Sequence, residues 1–231
     1  HAEELSYPCA GPQKEKKGDP KMSVSFLSRP AKPDLAYKMQ AGASDLPPLI
    51  FLPGFRSDME GTKAVFLAEH AAKRNQPCLR LDYSGHGASG GRFEDGTIGI
   101  WKDDALAIID ATIKTPSVVI GSSMGGWIAL LVALARPHLV KGLIGIAAAP
   151  DFTRDVQRRM SEQQRQDIKK QGFFSVVGEY STEPLVITHA LLAEGENHCI
   201  MDDKIGIDCP VRLLQGKKDD DVPWEWANQI Q

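Results

Sequence analysis

The stretch SVVIGSSMGGWIALLVALA, Ser117 to Ala135, decides the reading of this chain. Its first four residues are a short apolar run bounded by turn residues, as a strand buried on both faces would be. From Met124 the run is long enough for a helix, and Arg136-Pro137 stops it. Between the two lies Gly121-Ser122-Ser123-Met124-Gly125, a G-x-S-x-G pattern with Ser123 at its centre. A strand–turn–helix of this kind strains its serine into an exposed position at the C-terminal edge of a sheet. Glycines flank the serine because a side chain there would meet neighbouring backbone. The plainer alternative is a tight turn whose serine caps the helix.

A nucleophilic serine needs hydrogen-bond donors for the developing oxyanion. The Met124 amide opens a helix, where free N–H groups and the helix dipole favour negative charge. A second donor is expected from the loop after an earlier strand. Leu52-Pro53-Gly54-Phe55 supplies it, with Phe55 N–H as candidate; the alternative is an ordinary Pro-Gly turn.

Outward from this stretch the same alternation repeats. Strands are expected at 49–52, 78–81, 117–120, 139–146 and 211–214. Helices are expected at 62–74, 98–113 and 124–135. Val65, Phe66, Leu67, Ala68 and Ala72 are available for an apolar face on the first helix. Trp101, Ala105, Ile108 and Ile109 stripe the second. Short strands alternating with longer helices imply βαβ units, a mainly parallel sheet and helices on both faces. The alternation breaks after Asp151. A strongly polar run follows, with a capping-box pattern at Ser161 and Gln164 and a helix stop at Gly172. Residues 151–206 read as an insertion capping one end of the sheet, between core segments 22–150 and 207–231. Residues 1–21, rich in Pro, Gly and mixed charge, read as a disordered extension, with Met22 a candidate natural start.

The chain of 231 residues carries 27 Lys plus Arg against 30 Asp plus Glu. This balance offers no footprint for nucleic acid and no polybasic membrane patch. The most apolar run, Trp127 to Ala135, is too short to span a bilayer, and no signal or transit peptide is evident, so a cytoplasmic location is the default. Cys9, Cys78, Cys199 and Cys209 lack metal or redox spacing and read as inert thiols. Gly85-His86-Gly87-Ala88-Ser89-Gly90 matches G-x-G-x-x-G, but a loop rather than a helix is expected to follow, so no dinucleotide is expected. Asp219 to Asp221 has no further oxygen ligands at a recognised spacing, and neither metal nor cofactor is expected.

Taken together, PGF at 53–55, LDYSGHGASGG at 81–91, GSSMGGW at 121–127 and GKKDDDVPW at 216–224 resemble the α/β-hydrolases. More narrowly, FRSDMEGTKA, ARPHLVKGLIG and LLQGKKDDDVPW resemble the mitochondrial abhydrolase-domain palmitoyl-protein thioesterases and their bacterial relatives. The resemblance implies an acid in a pattern like G-x-x-D-x-x-V-P, which selects Asp219; Asp220, Asp221 and Asp151 are the rivals. It also implies the order serine, acid, histidine. All six histidines (His1, His70, His86, His138, His189 and His198) precede Asp219. None occupies the family position, although His86 lies in a loop near the site. The expectation is a C-terminally incomplete chain, with the last strand, the histidine and the final helix beyond Gln231.

The implied activity is hydrolysis of carboxylic esters or acyl thioesters through an acyl-enzyme on Ser123, with small-molecule or acylated-protein substrates including S-palmitoyl groups. The location would then be cytoplasmic or an organelle matrix. Two alternatives stand beside it: a non-catalytic hydrolase-fold binding module, and a peptidase or carbon–carbon hydrolase on the same fold. Phe173, Phe174, Val176, Val177, Leu191 and Leu192 are candidates for an apolar lining beneath the cap, or else pack against the core.

Overall fold

The computed structural model describes residues 23–176 and 184–230. A hairpin of β1 (Ser25–Arg29) and β2 (Lys32–Gln40) comes first. The alternation then runs β3 (Leu49–Leu52), α1 (Thr62–Lys73), β4 (Cys78–Leu81), α2 (Ile98–Thr112), β5 (Ser117–Ser122), α3 (Met124–Ala135) and β6 (Val140–Ile146). Between β6 and the last strand lie α4 (Phe152–Arg159), α5 (Glu162–Gln171), β7 (Phe173–Val176), β8 (Leu185–Thr188) and α6 (His189–Gly195). The sheet resumes with β9 (Val211–Leu214), and α7 (Glu225–Gln229) follows.

Seven strands form the main sheet in the order β1-β2-β4-β3-β5-β6-β9. The first two pairings are antiparallel; from β4 to β9 every neighbour is parallel. Successive side chains of β3 serve opposite faces, as the strand period of two requires. Ile50 and Leu52 join the cluster built by α2 and α3, whereas Phe51 packs with Ala64 of α1 and Ile120. Helices therefore cover both faces, and LIFL and SVVI are apolar throughout for that reason. Trp101, Ala105, Ile108 and Ile109 are all buried, as the α2 stripe predicts.

The face of α1 differs from the expectation. Ala64, Ala68 and Ala71 are buried, while Phe66 is 67% exposed. Small side chains let this helix lie close on β3 and β4; Leu67 still packs against Phe51 and Ile120, and Phe66 turns outward. The β1–β2 hairpin was not expected either. Its outer half is polar, and only Leu35 and Ala36 of β2 are buried.

The segment 151–206 enters the crossover between the adjacent strands β6 and β9. Its polar run divides into α4 and α5. Ser161 and Gln164 make the expected capping box, and Gly172 ends α5 in the left-handed conformation. β7 and β8 pair as a separate antiparallel hairpin. Of the lining candidates, Phe174, Leu191 and Leu192 are buried in the main core cluster, and Leu192 also borders a cavity of about 390 Å3 between α4, α5 and α6; Phe173 and Val176 are exposed. Val177 and the extension expected at 1–21 lie outside the described residues.

Candidate active site

β5 runs directly into α3 through Ser123, whose φ of 54° and ψ of −121° lie far from both strand and helix. These are the angles of the first central residue of a type II′ turn, a position that favours glycine. Packing fixes the turn from both sides. A Cβ on Gly121 would collide with the Gly125 carbonyl, and one on Gly125 with the carbonyl of Leu52 at the end of β3. The Ser123 amide donates to the Ile146 carbonyl (2.9 Å), and its carbonyl accepts from Gly126 N–H (2.8 Å) and Ala149 N–H (3.1 Å). The backbone is thus bound on three sides. The Ser123 side chain makes no hydrogen bond to a described residue, caps nothing, and opens into a cavity of about 650 Å3 shared with Gly54, Phe55, Ser57 and Thr62.

The loop after β3 lies against this turn. A Cβ on Gly54 would sit 3.4 Å from that of Ser123. Neither Phe55 N–H nor Met124 N–H has an acceptor among the described residues. Two unpartnered amides beside one half-buried, unbonded hydroxyl form a site suited to negative charge. The Phe55 ring meets Phe93 at 4.8 Å, Trp101 at 5.7 Å and Phe152 at 5.8 Å, all edge-on. This aromatic wall was missed in the sequence, where Trp101 reads only as a core residue.

The acidic loop after β9 separates its three aspartates. Asp219 Oδ1 accepts from the amides of Asp221 (3.1 Å) and Val222 (2.9 Å), and Gln215 Nε2 lies 3.4 Å from Oδ2. Asp220 and Asp221 are exposed. Only Asp219 has an oriented carboxylate, which matches the residue that the spacing selects. Asp151, the rival after β6, is 7% exposed and engaged elsewhere. Its oxygens accept from the amides of Ile200 (2.9 Å) and Met201 (3.0 Å), fastening the end of the insertion to the sheet edge.

No described histidine hydrogen-bonds Ser123. His70, His138 and His189 are exposed on α1, after α3 and at the start of α6. His198 pairs with Glu194 at 2.6 Å, and that carboxylate also accepts Gly99 N–H at the start of α2. His86 is 4% exposed, with both ring nitrogens engaged by backbone. His1 lies outside the described residues. The G-x-G-x-x-G loop continues through a helical turn at Phe93–Asp95, and α2 begins only at Ile98, so no α-helix starts within that motif. Burial pushes the Cys78 thiol up to about 11 and the Cys199 thiol up to about 12; Cys209 is also raised by burial. All three are therefore protonated and poor nucleophiles near neutral pH. Among the described residues no three His, Cys, Asp or Glu side chains gather as metal ligands.

Comparison with known proteins accords with this geometry. Residues 47–196 match the family described as alpha/beta hydrolase fold. The human mitochondrial palmitoyl-protein thioesterase ABHD10 is 41% identical over 211 residues, which is 91% of this chain and 68% of that protein. Among solved structures, a hydrolase from Agrobacterium vitis S4 is 39% identical with a TM-score of 0.85, covering 90% of this chain and 83% of the other. The mouse alpha/beta hydrolase domain-containing protein 10 is also 39% identical, with a TM-score of 0.82 and the same coverage. No helix among the described residues is long and apolar enough to cross a membrane.

Proposed function

The chain belongs to the α/β-hydrolase family, and on that premise we propose that it cleaves carboxylic esters or acyl thioesters through an acyl-enzyme on Ser123. The observation that carries the reading is the unbonded Ser123 hydroxyl, held at positive φ beside the two unpartnered amides of Phe55 and Met124. Ser123 Oγ attacks the acyl carbonyl carbon and loses its proton to a histidine oriented by Asp219. The carbonyl oxygen becomes the oxyanion between the two amides. Collapse breaks the bond to the leaving oxygen or sulfur, which takes the proton from the imidazolium. Water then attacks the acyl-enzyme, giving its proton to the histidine; collapse frees the carboxylic acid and restores the serine. By family resemblance the histidine follows Asp219.

The thioesterase named among the relatives supports acyl thioesters as a substrate class, with S-palmitoyl groups on proteins as one case. Its mitochondrial label makes an organelle matrix the alternative to a cytoplasmic location. Residues 151–206 are assigned to substrate selection, because they enter the β6–β9 crossover and Arg56, next to Phe55, donates to the Pro184 carbonyl at 2.8 Å.

The test is covalent labelling of the full gene product with a fluorophosphonate, followed by an ester and thioester panel. Ser123→Ala is expected to abolish labelling and Ser122→Ala to retain it. An adduct located elsewhere in the Ser123→Ala protein by mass spectrometry refutes the nucleophile.

A further inference from the structure

The LDYSGHG loop after β4 grips the loop after β3 at three points. Tyr83 Oη donates to the Pro53 carbonyl at 3.2 Å, and Asp82 Oδ1 accepts Met59 N–H at 2.7 Å. Between them, His86 Nε2 lies 3.3 Å from Arg56 N, one residue after the amide assigned to the oxyanion. The other ring nitrogen, Nδ1, lies 3.2 Å from the Ser84 carbonyl. A carbonyl only accepts, so Nδ1 carries the proton and Nε2 offers its lone pair to Arg56 N–H. The ring is flanked edge-on by Tyr83 at 5.5 Å, Phe93 at 5.1 Å and Trp101 at 5.1 Å. The Arg56 backbone sits at a φ of 55°, in the left-handed region that a non-glycine residue adopts only when its surroundings hold it there. Ser57 N–H closes the turn onto the Gly54 carbonyl at 3.0 Å. The turn from Gly54 to Ser57 is therefore short, strained and pinned from below by one imidazole.

We propose that His86 is a positioning residue for acyl transfer: its neutral Nε2 holds the Arg56 amide and so aims the Phe55 N–H at the oxyanion formed on Ser123. This rests on the Ser123 and Phe55 assignments above. It also explains why a histidine so near the site is not the base. Both nitrogens are occupied by backbone groups, and neither hydrogen-bonds Ser123.

Two substitutions separate the roles. His86→Phe keeps the ring and removes the acceptor. His86→Gln places an amide oxygen near the position of Nε2, where it can accept Arg56 N–H but cannot act as a base. In the full gene product, with a small activated ester, His86→Phe is expected to lower kcat at least tenfold with KM within about threefold. The ceiling is the loss from removing an oxyanion donor outright, about 100- to 1,000-fold. His86→Gln is expected to recover most of the rate. Equal impairment of two folded variants overturns the proposal in favour of a base or a packing role, and an unimpaired, folded His86→Phe protein overturns it outright. Should His86→Phe fail to fold, long-range proton–nitrogen NMR of the wild-type ring decides: a proton on Nδ1 alone supports the proposal, and one on Nε2 overturns it. Fluorophosphonate labelling of Ser123→Ala runs in parallel. If it survives there, the underlying hydrolase reading has failed; if it is lost there while His86→Phe labels at the wild-type rate, only the His86 proposal has failed.

Discussion

Replacing Ser123 by glycine is expected to destroy activity and to stabilise the protein relative to replacing it by alanine. Both substitutions remove the hydroxyl, which makes no hydrogen bond to a described residue, so their difference isolates the backbone. At a φ of 54° alanine keeps the strain of an L-residue and glycine does not. Strained backbone of this kind costs about 1–3 kcal/mol. Glycine gives back about 0.5–1 kcal/mol through the extra freedom of the unfolded chain. The net is on the order of 1 kcal/mol in favour of glycine, which in a domain of this size moves the melting temperature by about 2–4 °C. Scanning calorimetry of the two variants under one buffer reads the difference directly. An alanine variant that melts at or above the glycine variant would refute a strained nucleophile turn, and with it the physical reason for placing the reactive serine there.

Asp219→Asn keeps an oxygen for the amides of Asp221 and Val222, so the loop should survive, while kcat of the full gene product falls about 10,000-fold by analogy with the same change in a serine protease triad. Asp220→Asn and Asp221→Asn should stay within a few-fold, and steady-state kinetics on one ester compares all three. Burial lowers the affinity of His86 for a proton; the Ser84 carbonyl, Asp104 and Asp58 oppose this, and Arg56 reinforces it. The unfolded chain therefore binds the proton more readily. His86 stability is fully present above about pH 6.5 and is lost as pH falls below it, until the folded protein itself protonates. Thermal melts from pH 8 to 4 should show a loss in the wild type that is smaller in His86→Gln. Phe174 is 3% exposed in the core cluster, and Phe174→Ala should cost about 3–5 kcal/mol in urea unfolding. A cost below about 1 kcal/mol with a changed acyl-chain preference would return that residue to a lining role.

The sheet was legible because its inner strands are buried on both faces, which leaves LIFL and SVVI as short, mainly apolar runs between helices. The hairpin at Ser25–Gln40 was not, since β2 opens with Lys32, Pro33 and Asp34 and most positions of both strands are exposed or half-buried. On α1 the sequence offers both Phe66 and Ala64, and only the closeness of the sheet decides that alanine goes inward. The placement of Ser123, Met124 and Phe55 was readable because it depends on local backbone at strand ends. The contact from His86 to Arg56 spans 30 residues and joins two loops, and nothing in residue type or period announces it. The wall of Phe93 and Phe152 around Phe55 was hidden for the same reason.

Around Gly121 and Gly125 the end of β3, the turn at Ser123 and the start of α3 touch main chain to main chain, with no side chain between them. Ordinary mutation alters side chains, and here there are none to alter except by adding one. The segment between β6 and β9 is held differently, by the side chains of Phe174, Leu191 and Leu192 in the core and by the carboxylate of Asp151. The seat of the proposed nucleophile is thus set by main-chain contacts alone at these two glycines, and a single added methyl at either would break it.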